Sequence, residues 1–84
     1  MMLAGIRVRD QDVLELAGLL RDAGFDETAE TLEYAHDLQA KVLALTIVDR
    51  EAILRTLDDP PDGLAEFRGV LLREHEWRVR VGLA

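Results

Sequence analysis

The chain has 84 residues, a formal charge of −7 and no cysteine. This is the size of one small domain, which buries only about 60–65% of the surface its unfolded form exposes. The missing cysteine excludes disulfides and thiolate metal sites, and the acidic balance works against generic nucleic-acid binding.

Charge is unevenly spread. Asp10, Asp12, Glu15, Asp22, Asp26, Glu27, Glu30, Glu33 and Asp37 share their stretch with one base, Arg21. The last segment carries Arg68, Arg73, Arg78 and Arg80 against Glu74 and Glu76. Solvated helix faces that attract each other within the fold are expected, or two copies that pair through them. Residues 1–6 have no basic lead, and the longest apolar run, 42–48, is far too short to span a membrane. A soluble cytoplasmic protein is expected.

Residues 1–9 read as an N-terminal arm that either frays or pairs. Ile6-Arg7-Val8-Arg9 alternates with the strand period. A first helix is predicted over 10–23, capped by Asp10. Val13, Leu16, Ala17 and Leu20 form its inward stripe, and Leu14 and Leu19 widen it. Gly18 inside it costs up to about 1 kcal/mol relative to Ala unless another helix approaches there.

Leu20-Arg21-Asp22-Ala23-Gly24-Phe25-Asp26 is the sharpest punctuation in the chain. Gly24 suits the left-handed position past a helix end, and Phe25 the apolar position that folds back on Leu20. Asp26 reads as the next N-cap. The second helix is predicted to run long, over 26–45, along Ala29, Leu32, Ala35, Leu38, Val42 and Leu45. Residues 42–48 also fit a buried strand, but no partner strand is evident, so helix is preferred.

Thr46-Ile47-Val48-Asp49 resembles a capping box, with Asp49 as a rival cap. A third helix follows to about residue 58, with Ile53, Leu54 and Leu57 inward. Asp58-Asp59-Pro60-Pro61-Asp62 breaks it, with Asp59 as the cap and Pro60 in the first turn of the next helix. The fourth helix is predicted to about residue 81. The rival reading makes 77–81 a strand pairing with 6–9. The expected fold is all-α, a four-helix domain of two helical hairpins.

Chemistry has weak support. His36 and His75 lack the spacing of a helical metal motif. There is no serine, Lys41 is the single lysine, and no glycine-rich phosphate loop occurs. No catalytic, metal or cofactor site is expected. Residues 49–77 outline a helix-turn-helix, but the turn is acidic and Asp62 and Glu66 open the would-be recognition helix. A dimeric DNA-binding regulator of antitoxin type is therefore the alternative. The preferred reading is a non-catalytic interaction or oligomerisation module. Its surface is Phe67, Val70, Leu71, Glu74, Trp77, Arg78 and Val81, since Trp and Arg are enriched at binding hot spots. Leu72 and Val79 lie on another side of that helix, and a homodimer is the simplest assembly.

Overall fold

The computed structural model describes residues 1–83. It opens with a strand pair: β1 (Met2–Leu3) and β2 (Ile6–Arg7) run antiparallel, with Met2 opposite Arg7 and Leu3 opposite Ile6. Ala4 and Gly5 both have positive φ, 50° and 81°, which a two-residue hairpin turn requires. The Val8 amide donates to the Met1 carbonyl at 2.8 Å and closes the hairpin. The alternation at 6–9 thus marks a strand, but its partner is β1 and not residues 77–81.

Helix α1 (Asp10–Asp22) buries Val13, Leu16, Ala17 and Leu20, as the spacing predicts. Asp10 is not its cap. Arg9 holds the N-cap position without a side-chain bond. The acid that turns inward is Asp12, 5% exposed, which accepts from Arg9 Nε at 2.9 Å. A carboxylate in the first turn meets the positive end of the helix dipole.

The stop after α1 is a Schellman motif. Gly24 lies at φ 89°, the Phe25 amide donates to Leu20 O at 2.8 Å, and the Gly24 amide donates to Arg21 O at 3.1 Å. Asp26 is already helical, the first residue of α2 (Asp26–Asp37), and Phe25 holds the cap position. Asp26 and Glu27 therefore act through the helix dipole rather than as caps. A Cβ at Gly18 would meet nothing within 4 Å, whereas one at Gly24 would be forced into the left-handed region. Gly24→Ala should cost about 1 kcal/mol or more, and Gly18→Ala should stabilise by up to about 1 kcal/mol. Thermal melts of the two variants check this; equal shifts would misplace the helix boundary.

The long second helix is overturned. α2 ends at Asp37, and Gln39 takes the left-handed position at φ 55°. Its amide donates to His36 O and the Ala40 amide to Ala35 O, both at 2.9 Å. This repeats the Schellman pattern without a glycine to announce it. Of the expected seam, Ala29, Leu32 and Ala35 are buried, while Leu38 and Val42 are exposed. Leu45 is buried, but outside any helix.

After the turn, β3 (Val42–Leu43) pairs parallel with β1, placing Met2 opposite Val42 and Leu3 opposite Leu43. The sheet order is β2-β1-β3. The chain is thus mainly α with a small three-stranded sheet, not all-α. Parallel strands need a long crossover, and here the α1–α2 pair supplies it.

Thr46 caps α3 (Ile47–Thr56) as predicted, and the capping box is complete. The Asp49 amide donates to Thr46 Oγ1 at 3.1 Å, and the Thr46 amide donates to Asp49 Oδ2 at 3.2 Å. Asp49 is the box partner and not the rival cap. Its other oxygen accepts from Thr28 Oγ1 at 2.9 Å, which ties α3 to α2. Ile53 and Leu57 are buried and Leu54 is half-buried.

α4 (Asp62–Arg80) is helical throughout, so the strand reading of 77–81 fails. Its N-cap is Pro61, not Asp59, and both prolines lie outside the helix. The start of α4 docks closely on the start of α1. A Cβ at Gly63 would stand 2.6 Å from Asp12 Oδ1 and 3.1 Å from Arg9 Nη2. A larger residue there would force the Asp12 and Arg9 side chains to shift.

Helix α1 packs against α2 and α3 against α4, with further contacts of α1 to α3 and α4, and of α4 to β2. Leu3, Leu16, Leu20, Leu32, Ile53, Leu57, Leu64 and Leu71 form the fully buried centre. Every helix and the central strand contribute to this single core.

Candidate functional site

The most distinctive surface is the distal half of α4. A helix of 19 residues is about 28 Å long, against about 15 Å for the ten residues of α3. Its first half carries the core residues Leu64, Phe67 and Leu71. Beyond Leu71 no described residue is buried.

The inward stripe continues past Leu71 at the same three-and-four spacing, but as Glu74 and Arg78. Arg78 Nε donates to Glu74 Oε1 at 3.0 Å, with both side chains partly exposed. Apolar character moves instead to the flanks. Val70, Trp77 and Val81 lie along one side, and Leu72 and Val79 along the other. Trp77 is 51% exposed, Val79 54% and Val81 48%. The helix ends in a third Schellman motif, with Gly82 at φ 76° and the Leu83 amide donating to Arg78 O at 2.8 Å. Leu83 is 59% exposed and adds to the apolar tip.

The seven residues expected to form an interaction surface therefore divide. Phe67 and Leu71 are buried in the core of this chain, 3% and 0% exposed. Val70 is half-buried. Glu74, Trp77, Arg78 and Val81 remain available on the distal half. Leu83 at the tip and Val79 on the opposite side are as exposed and were outside the expected set. The repeat of Gly24-Phe25 as Gly82-Leu83 was the signal that the helix ends in a left-handed turn carrying an exposed leucine.

The expected attraction between the acidic front half and the basic tail does not take the form of direct ion pairs. Among the described residues, those pairs are local or lie within one half of the chain. Arg21 serves the acidic surface through Glu33, and the hydrogen bond and charge of Glu33 hold its pKa above the ordinary arginine value. Apart from the buried Asp12, the remaining acids of α1 and α2 stay solvated.

A second concave surface lies where the sheet meets the end of α2. His36, Asp37, Gln39 and Lys41 line it with Arg7 and Asp10. His36 Nδ1 is buried without a hydrogen-bond partner and stands 3.8 Å from Asp37 Oδ1. The cleft mixes charges of both signs. Among the described residues no three His, Cys, Asp or Glu side chains are placed to hold a metal ion. His75, on α4, is far along the chain from His36 and lines a separate shallow cleft with Glu76, Val79 and Arg80. Tyr34 is an exposed surface aromatic.

No helix among the described residues is long and apolar enough to cross a membrane. No protein-family model, curated protein or solved structure matches the chain.

Proposed function

We propose that this chain is a non-catalytic protein-interaction or oligomerisation module that contacts its partner through the distal half of α4. The simplest partner is a second copy in a cytoplasmic homodimer. In this reading the four helices act as two helical hairpins, α1 with α2 and α3 with α4, and the second hairpin presents the contact surface.

One observation carries the proposal. Trp77, Val79, Val81 and Leu83 are each about half exposed or more, on a helix end where no described residue beyond Leu71 is buried. A thin core leaves little to stabilise such an overhang, and each large apolar side chain stabilises by about 1.5–3 kcal/mol when fully buried. Tryptophan beside arginine also matches the composition of binding hot spots. The Glu74–Arg78 pair would set register at an interface more than it would add stability. No specific observation favours the DNA-binding alternative, and the exposed acids Asp62 and Glu66 at the start of α4 work against it.

Light scattering at micromolar concentration tests the proposal. The expected mass is twice the 9.4 kDa of one chain. Trp77→Ala should weaken association by about 2 kcal/mol or more while the monomer stays folded. A wild-type mass of one chain, with no partner captured through this surface, would overturn it.

A further inference from the structure

Two helices of this chain end in the same way. α2 closes through Leu38, with Gln39 left-handed, the Gln39 amide donating to His36 O and the Ala40 amide to Ala35 O. α4 closes through Val81, with Gly82 left-handed, the Gly82 amide donating to Val79 O and the Leu83 amide to Arg78 O. Each end carries an aromatic residue one turn back. The Leu38 amide donates to Tyr34 O and the Val81 amide to Trp77 O, both at 3.0 Å.

The side chains on the two ends match in spacing and oppose in charge. Glu30, Tyr34, Asp37 and Leu38 stand at the same intervals as Arg73, Trp77, Arg80 and Val81. Steps of three and four residues put each set on one helix face. All eight residues are exposed, and Tyr34 and Leu38 more so than Trp77 and Val81. Glu30, Arg73 and Arg80 join no ion pair among the described residues, and Asp37 meets only its neighbour His36, at 3.8 Å. One face offers an aromatic and an aliphatic side chain framed by carboxylates. The other offers the same pair framed by guanidinium groups. Neither face is covered within one chain.

We propose that the end of α2 is the docking surface for the end of α4 from a second copy. This rests on the proposed role of the α4 tip and supplies the face that the tip contacts. Equal spacing lets both carboxylates meet both guanidinium groups while Trp77 and Val81 lie against Tyr34 and Leu38. Arginine pairs with carboxylates and also stacks on aromatic faces, so Tyr34 adds to the match. In a two-fold dimer the contact forms twice, once in each direction. Packing two α4 tips on each other would instead bring Arg73 and Arg80 of one copy against the same residues of the other, and juxtaposed like charges oppose association.

Sedimentation equilibrium of the full chain tests it. Glu30→Arg combined with Asp37→Arg should raise the dimer dissociation constant at least about tenfold. It should do so although it reduces the net negative charge of the chain, a change that by itself favours association. Arg73→Glu combined with Arg80→Glu should weaken the dimer likewise. An equimolar mixture of the two reversed proteins should pair with near wild-type affinity, because both contacts are then complementary again. Tyr34→Ala should also weaken association while its circular dichroism stays that of the wild type, since Tyr34 lies outside the core. A wild-type chain that remains monomeric would overturn both this surface and the proposed function. A wild-type dimer whose affinity survives reversal at Glu30 and Asp37, or survives Tyr34→Ala, would overturn the α2 surface and leave the α4 tip standing. Reversed proteins that fail to pair when mixed would do the same.

Discussion

Leu71→Ala is expected to cost about 3–5 kcal/mol, the range for a fully buried leucine whose cavity cannot collapse. Leu71 is 0% exposed, at the point where α4 leaves the core. A domain of this size holds only about 4–12 kcal/mol in total, so the variant should melt far below the wild type and populate unfolded chain at ordinary temperatures. Trp77→Ala, two turns further along the same helix, should leave the monomer fold in place. Urea denaturation followed by circular dichroism separates the two. If Leu71→Ala kept the wild-type midpoint and lost only association, then Leu71 would belong to an interface and the core described here would be wrong at that end.

Asp49→Ala is expected to cost about 2–3 kcal/mol, more than an ordinary lost cap. The carboxylate has two tasks. One oxygen accepts from the Thr46 amide and completes the α3 capping box. The other accepts from the Thr28 hydroxyl, on a residue only 4% exposed. Removing Asp49 therefore frays the start of α3 and leaves a buried hydroxyl without a partner. The Thr28→Val background isolates the second part. There Asp49→Ala should cost about 1 kcal/mol less, and urea midpoints of the four proteins give the coupling. Strict additivity would mean that the Thr28 bond contributes nothing and that Asp49 acts as a cap alone.

Much of the helical framework was legible from local signals. Gly24 and Phe25 act through the backbone of their own turn, so their meaning does not depend on what packs nearby. The same holds for Thr46 and Asp49, whose reciprocal bonds close within four residues. The stripes of α1 and of early α4 were readable because three or more residues repeat at one spacing. The caps Asp10 and Asp26 were misplaced for a related reason, whereas Asp59 lies ahead of both the cap and the first turn of α4. An aspartate before a helix fits both the cap and the first turn, and the dipole favours it in either position.

The candidate surface was only half legible. Wheel position grouped Phe67 and Leu71 with Trp77 and Val81 as one apolar face. Burial depends on how far the rest of the fold reaches along α4, and that reach stops at Leu71. The change from Leu71 to Glu74 and Arg78 along the inward stripe was the visible sign of that limit.

Four helices, two of their stops and the capping box could be read locally, because each rests on bonds among residues a few positions apart. Only the tertiary structure decided the sheet. The alternation around β2 was visible, but β1 and β3 are two residues long, too short to show a period, and β1 acquires β3 only after α1 and α2 have brought the chain back. The end of α2 was decided the same way. Gln39 adopts a conformation that disfavours a side chain, and the pairing of Leu3 with Leu43, together with the burial of Leu45, offsets that cost. Those contacts join residues far apart in the chain, so no local pattern could announce them.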